Sequence, residues 1–453
     1  MSRYHLIGVG GAGMAPVAEL LAARGLEVSG SDARDSATLE RLRGLGVRAR
    51  AGHAAAQVPG DATVVVSTAV RPDNPELVRA RELGLPVLHR SEALVVAAGE
   101  QDFVAVAGAH GKTTTSAMLA VALTEAGADP SYAIGGQVAG LGTGAHLGTG
   151  RAFVAEADES DGSFLNYRPA VAVVTNVEPD HLDHYGSREA FEQAFVDFAA
   201  RVTGVLVVCA DDDGALRLAR HAPGRVLTYG TGAAPGVGEG HVRISDLAVG
   251  AAGARATLGR PGEPPVRLEL AVTGAHNVRN ATAAWCAGVA LGAEPQEMAT
   301  ALGAFRGTGR RFEMRGESAG VRVVDDYAHH PTEVAATLAA ARLAAGEGRV
   351  VVLFQPHLYS RTQTFAAEFA AALGAADEVV VTDVYAARED PVQGVDGSLI
   401  TALADGARYV ADRQEAAAAV AALARPGDLV LTMGAGDVTE LGPRVLALLT
   451  ERA

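Results

Sequence analysis

Lysine is all but missing from this sequence: of its 38 basic residues only one, Lys112, is a lysine. Where a surface merely needs positive charge the chain uses arginine. A solitary ammonium therefore marks a place where a compact, rotatable cation is wanted and a planar guanidinium does not fit. Cysteine is nearly as scarce. Cys209 and Cys286 are the only two, far apart and without metal-ligand spacing, which argues against a disulfide scaffold or a zinc site and fits a reducing cytoplasm. No apolar run reaches the ~18 residues of a membrane helix, and the richest, 281–293, reads as a short core helix. The N-terminus enters a strand at once, without the charged and apolar regions of a signal peptide. A basic excess is absent as well. With a formal net charge of −15, a nucleic-acid partner held by phosphate neutralisation is not expected.

What remains is a globular composition, 49% hydrophobic and 20% charged, over 453 residues, a length that suggests about three domains. Lys112 lies in Gly108-Ala-His-Gly-Lys-Thr-Thr-Thr115, between an apolar strand at 103–107 and a helix-forming run at 116–126. A glycine turn between strand and helix aims backbone N–H groups and the helix N-terminus at one spot, which suits a polyphosphate. Lys112 adds a point charge, and the Thr113 hydroxyl can ligate the magnesium that accompanies ATP. The strict phosphate-loop spacing would place glycine at 106, where Val106 stands. The competing reading is an ordinary glycine turn opening a helix.

A second glycine turn, Gly8-Val-Gly-Gly-Ala-Gly13, separates a strand at 4–9 from a helix at 14–23. The next strand ends at Asp32, close to the spacing at which an acid holds a ribose hydroxyl in a dinucleotide fold. That reading leaves a nicotinamide dehydrogenase open. The turn says only that a diphosphate can approach, and glycines that merely allow close strand–helix packing remain the alternative. A strand at 62–67 releases the polar loop Ser67-Thr-Ala-Val-Arg-Pro-Asp-Asn-Pro75.

Downstream, a strand at 152–155 delivers Glu156-Ala-Asp-Glu-Ser-Asp161, which taken alone reads as a solvated acidic turn. A strand at 171–175 then releases Asn176-Val-Glu-Pro-Asp-His-Leu-Asp-His-Tyr185. Lys112/Thr113, Glu156 and His181 thus follow three successive strands, and parallel neighbours would converge them. Residues 201–275 read as shorter strands with Gly/Pro connections, including 230–240. Asn277 and Asn280 share a helix face, and carboxamides match the donor–acceptor edge of adenine; N-capping by Asn277 is the alternative. From Gly309-Arg-Arg-Phe-Glu313 onward, strands near 349–354, 378–382, 408–410 and 428–432 alternate with alanine-rich helices as a further doubly wound sheet. Two loops there, Asp325-Asp-Tyr-Ala-His-His-Pro331 and Gln355-Pro-His-Leu-Tyr-Ser-Arg361, carry residue types that orient anions and amines.

Taken in order, these motifs, with Glu178-Pro-Asp-His181 and His276-Asn-Val-Arg-Asn280, resemble those of the Mur ligases, the ATP-dependent ligases of peptidoglycan precursor synthesis, over the whole chain. The short lysine loop is similar to the family's own. The resemblance implies an α/β protein of three domains: a Rossmann-like UDP-binding domain (1–100), a P-loop ATPase-like domain (101–309) and a Rossmann-like ligase domain (310–453). It implies a cytoplasmic enzyme, a monomer or weak homodimer with no nucleic-acid or membrane partner, that uses ATP and Mg2+ to join L-alanine to UDP-N-acetylmuramic acid through an acyl phosphate. Gly108, Ala109, His110, Gly111, Lys112, Thr113, Thr114, Asn277, Asn280, Arg311 and Asp326 would hold ATP. Gly10, Gly11, Ala12, Gly13, Asp32, Ser67, Thr68, His110 and Ser160 would hold the UDP-sugar. Tyr327, His329, His357 and Arg361 would place the amino acid, Thr113, Glu156 and His181 the metal, and Lys112, His181, His329 and Arg361 would serve catalysis. Two departures stand out: with no lysine after 112 the carbamylated lysine of several sister ligases has no counterpart, and Leu358 stands where close relatives often carry arginine. A sister ligase for another amino acid or peptide, or a nucleotide-binding protein without turnover, are the remaining alternatives.

Overall fold

The computed structural model describes residues 2–234, 237, 240–387 and 389–452; 235, 236, 238 and 239, within the predicted Gly/Pro connection, lie outside them. The N-terminal strands are β1 (Arg3–Ile7), β2 (Glu27–Asp32), β3 (Arg48–Ala51), β4 (Thr63–Val66) and β5 (Val87–His89). They form one sheet in the order β3-β2-β1-β4-β5, parallel throughout. The chain leaves β1 toward β2 on one side and reaches β4 on the other, so the Gly8–Gly13 turn sits where the strand order reverses, the crevice at which open α/β sheets bind ligands.

The central strands are β6 (Asp102–Ala107), β7 (Ser131–Ala133), β8 (Ala145–His146), β9 (Ala152–Glu156), β10 (Val171–Val174), β11 (Val205–Cys209), β12 (Arg225–Gly230), β13 (Gly240–Gly250), β14 (Gly253–Gly259) and β15 (Val266–Leu270). Their order is β15-β14-β13-β12-β11-β10-β6-β9-β7-β8. In the heart of this sheet β6 pairs in parallel with β10 on one side and β9 on the other. Every residue of β10 is buried, as expected for strands covered on both faces, which read as continuous Val/Ala runs rather than alternating ones. The register also explains Val106. It pairs with Val173 and Glu156 and has no solvent exposure, so β6 is still running where the strict motif would already need its glycine. The helix Asp213–His221 interrupts a region predicted as strands only.

The C-terminal strands are β16 (Glu313–Ser318), β17 (Val321–Asp326), β18 (Val350–Phe354), β19 (Glu378–Val381), β20 (Arg408–Tyr409) and β21 (Leu429–Met433), ordered β16-β17-β21-β18-β19-β20. All pairs are parallel except β16 with β17. The antiparallel edge strand β16 was not apparent in the sequence. Apolar clusters cover both faces of this sheet: Val324, Val352, Phe354 and Leu431 on one, Val323, Leu353 and Val430 on the other. The fold is thus a three-domain α/β fold with one sheet per domain. By contacts the chain divides into two compact units. The first comprises Met1–Asp246, Ala256–Glu269 and Arg279–Phe305; the second comprises Leu247–Arg255, Leu270–Val278 and Arg306–Ala453. Among the described residues no helix is long and apolar enough to cross a membrane.

Candidate active site

The helix after β6 begins at Lys112, four residues earlier than the sequence suggested, with Gly111 as its N-cap in the left-handed region at φ 84° and no side chain capping it. Gly108 has φ 127°, and a Cβ there would overlap Thr175 Oγ1 and stand 3.0 Å from Asn176 N. Only glycine fits such a backbone and such a neighbour. The residues just after β10 tie the turn down: Asn176 Oδ1 accepts the His110 N–H at 3.0 Å, and Thr175 Oγ1 and Asn176 Nδ2 donate to the His110 carbonyl at 2.6 and 3.0 Å. Among the described residues no side chain caps the first turn of this helix and no acid lies in it, as in turns that receive anions.

Lys112 lies inside this turn. Its Nζ donates to the carbonyls of Gly108 (2.6 Å) and Ala109 (3.3 Å) and to Glu159 Oε1 (2.7 Å). Burial opposes the charge on Lys112, but Glu159 and Asp158 outweigh it and hold its pKa above the ordinary lysine value. Burial raises the pKa of Glu159 in spite of Lys112. Burial also disfavours ionised Asp158, yet Arg90 and Lys112 hold that carboxyl well below the usual range. The acidic stretch is therefore not the solvated turn it resembles in isolation. Glu159 is 1% exposed, and Arg90 Nη2 donates to Asp158 Oδ2 at 2.6 Å.

The predicted convergence from three strands is present. Thr113 Oγ1 donates to Glu156 Oε2 at 3.1 Å, and the other oxygen of Glu156 accepts the Gly135 N–H at 2.7 Å. His181 Nε2 stands 3.9 Å from Glu159 Oε1 and 3.6 Å from Asp180 Oδ2. Its backbone is left-handed at φ 52°, a strained setting of a kind that clusters at functional sites. The Thr113 hydroxyl thus meets Glu156, and the His181 imidazole lies near Glu159, the partner of Lys112, at the same glycine turn. His110 turns toward Glu178, Nε2 to Oε2 3.1 Å. A Cβ on Gly111 would come within 2.7 Å of Asn280 Oδ1, so Asn280 borders the turn. Asn277 is not an N-cap: the helix Ala275–Ala290 starts before it, and its Nδ2 donates back to the Thr273 carbonyl at 2.7 Å.

At the first glycine turn, Asp32 Oδ2 accepts the Gly10 N–H at 2.9 Å, so this acid braces the turn itself. The Thr68 hydroxyl donates to Asp161 Oδ2 at 3.1 Å, and the Ser160 N–H donates to Asp158 Oδ1 at 3.0 Å. The Ser67–Pro75 loop thereby meets the acidic stretch after β9. Sequence reasoning missed a buried network under the end of β2. Glu76, fully buried, accepts from His5 Nε2 (3.2 Å), Ser31 Oγ (2.5 Å) and the Ala54 N–H (3.0 Å). Histidine, serine and glutamate spread over 71 positions give no local signal of it.

In the C-terminal domain the side chains chosen for the amino acid do gather. The rings of Tyr327 and His329 lie 5.1 Å apart, those of His329 and His357 5.6 Å, and Arg361 Nη1 is 3.2 Å from His357 Nδ1. Arg310 and Arg311 each stack a guanidinium 4.8 Å from the Tyr327 ring centre, and Arg310 also ties the 434–436 turn, donating to Gly434 O at 2.6 Å. Asp326 is a brace within the same domain, its carboxylate accepting from Phe312 N and Ala328 N (both 2.8 Å) and from Thr337 Oγ1 (3.1 Å). Burial pushes its pKa up to about 6 against the pull of Arg311. Leu358 is 4% exposed at φ 70°, just ahead of the helix Tyr359–Thr364.

A glycine turn enclosing a buried lysine, acids and an imidazole on adjacent strand ends, and two further α/β sheets are the features of an ATP-using ligase of the three-domain kind. The comparisons place it more closely. Residues 3–101, 106–288 and 310–436 match, in turn, the Mur ligase family catalytic domain, the Mur ligase middle domain and the Mur ligase glutamate ligase domain. The chain belongs to the Mur ligase family. It is 58% identical to a UDP-N-acetylmuramate–L-alanine ligase of Kineococcus radiotolerans, over 100% of this chain and 97% of that one. A protein of the same name from Renibacterium salmoninarum is 54% identical over the same shares. Among solved structures, a UDP-N-acetylmuramate–alanine ligase from Thermotoga maritima superposes with a TM-score of 0.81 at 29% identity, covering 100% of both chains.

Proposed function

We propose that this chain joins L-alanine to UDP-N-acetylmuramic acid at the expense of ATP, in the cytoplasm, as a monomer or weak homodimer. The observation that carries the reading is the meeting of Lys112, Thr113, Glu156 and His181 around one glycine turn, from the carboxyl ends of three adjacent parallel strands. Full-length identity to ligases of that name supports the choice of substrates. In the proposed reaction an oxygen of the sugar-acid carboxylate attacks the γ-phosphorus and ADP leaves. The amine of alanine then attacks the acyl carbonyl, the amide forms, and phosphate departs as the amine loses its proton. Such chemistry is served by positioning and charge neutralisation rather than by a protein nucleophile.

Lys112 would neutralise the transferring phosphoryl group, and the turn from Gly108 to Thr114 would cradle the phosphates. Thr113, Glu156 and His181 would hold Mg2+, which supplies further charge neutralisation there. The hydroxyl–carboxylate pair suits a hard cation, while imidazole is the less usual donor. Asn277, Asn280, Arg311 and Asp326 are proposed for the nucleotide, Gly10 to Gly13, Asp32, Ser67, Thr68, His110 and Ser160 for the UDP-sugar, and Tyr327, His329, His357 and Arg361 for the amino acid. Domain limits near 100 and 309 complete the proposal. The test is phosphate release from ATP with each amino acid, with and without UDP-N-acetylmuramate. Release that requires both the sugar nucleotide and L-alanine is expected; release indifferent to either, or faster with another amino acid, would refute the assignment.

A further inference from the structure

Arg90 follows β5 and opens the helix Arg90–Ala98, far in sequence from the first glycine turn. Its guanidinium nevertheless lies against the first turn: a Cβ on Gly13 would stand 2.8 Å from Arg90 Nη1 and 3.6 Å from both Cδ and Cζ. Gly13 lies one residue ahead of Met14, the N-cap position of the helix Ala15–Ala23, which has no side-chain cap and no acid in its first turn. The guanidinium therefore stands beside a helix N-terminus that brings no negative charge of its own. Arg90 is held from behind. Its Nη2 donates to Asp158 Oδ2 at 2.6 Å and is 4.0 Å from Asp161 Oδ2, while the side chain keeps 23% of its surface exposed. A planar fork with one edge fixed by a carboxylate and another edge at an anion-favouring turn is the arrangement that grips phosphate oxygens.

We propose that Arg90 contacts the diphosphate of the sugar nucleotide, with Asp158 as its positioning partner. This rests on the preceding reading that the sugar nucleotide occupies the first glycine turn. Because Asp158 adjoins Glu159, the partner of Lys112, the loop carrying both acids orients a cation at each glycine turn.

Calorimetric titration of the full chain with UDP and, separately, with uridine tests this. Arg90→Gln is expected to weaken UDP binding at least tenfold and to leave uridine binding within twofold of the parent. Asp158→Asn is expected to weaken UDP binding less, and the double variant to bind UDP no worse than Arg90→Gln alone, because Asp158 acts through Arg90. An unchanged UDP-to-uridine ratio in Arg90→Gln, or additive losses in the double variant, would overturn the proposal. Should Arg90→Gln fail to fold, Arg90→Lys decides: it keeps the charge but loses the fork, and UDP affinity should still fall selectively. A parent chain that binds neither UDP nor uridine would overturn the sugar-nucleotide reading itself. UDP binding intact in the parent and undiminished in both Arg90 variants would overturn only the role of Arg90.

Discussion

Lys112 and Glu159 form an ion pair inside the protein, Nζ to Oε1 2.7 Å, with the Glu159 side chain 1% exposed and that of Lys112 17% exposed. The ammonium's other partners are two carbonyls of its own turn. The only lysine of the chain is thus enclosed by a cradle sized for three donors on a single nitrogen. A guanidinium of greater length and fixed planarity would have to push Gly108 or Glu159 aside. Lys112→Arg should lower the rate of phosphate release by about 100-fold or more, the scale on which loss of a transition-state charge contact is felt, while circular dichroism stays that of the parent. Retention of a tenth of the activity would contradict this.

Glu159 is the stability side of the same pair. Removing one partner of a buried pair leaves the other charge uncompensated, at a cost of about 3–5 kcal/mol in well-buried cases. Partial exposure of Lys112 puts the expectation near the lower end. Glu159→Ala should therefore reduce the unfolding free energy in urea by roughly 3 kcal/mol, and Glu159→Gln, which keeps an acceptor, by less. Equal unfolding midpoints for parent and Glu159→Ala would show that the pair contributes nothing.

The contrast between Lys112 and Glu159 also marks what the sequence could tell. Lys112, Thr113, Glu156 and His181 were legible because each follows a Val/Ala strand, and parallel strand ends must converge. Their order around β6 needed only that β9 and β10 be its neighbours. Glu159 lies three residues from Glu156 and carried no separate signal, since burial depends on packing from Tyr185 and the turn, which no local pattern encodes. Its carbonyl accepts the Tyr185 hydroxyl at 2.5 Å. Arg90 was invisible for the same reason: its contacts, Gly13 and Asp158, lie 77 residues before and 68 after it. Strand cores were read well, whereas β16, an edge strand without apolar alternation that pairs with the strand right after it, was not, and neither was the helix Asp213–His221, although Asp212 supplies its N-cap.

Asp326 gives a pH signature. Its folded pKa of about 6 lies above its ordinary value of 3.8, so the folded state holds the proton where the unfolded chain has lost it. Its contribution to stability is full below about pH 4 and declines as pH rises through 6. A shift of this size corresponds to roughly 3 kcal/mol. Urea unfolding of the parent and of Asp326→Asn should show the parent losing its advantage by about that amount between pH 4 and 7. A difference that stays flat, or grows with pH, would mean that the carboxyl is ionised throughout.

Gly108→Ala isolates the backbone of the turn that holds Lys112. At φ 127° an alanine is strained, and its methyl group would meet Thr175 Oγ1 and the Asn176 backbone, which cannot retreat without releasing the His110 carbonyl. Strain and overpacking of this kind each cost about 1–3 kcal/mol. Relief by movement of the turn would carry Lys112 with it, because Gly108 O is one of the acceptors of Nζ. ADP affinity should consequently fall by at least tenfold, measured by calorimetry on protein still folded at low temperature, whereas UDP affinity should stay within twofold. Parallel losses for both ligands would mean that the two glycine turns fail together through general unfolding, and unchanged ADP affinity would remove the turn from the nucleotide site.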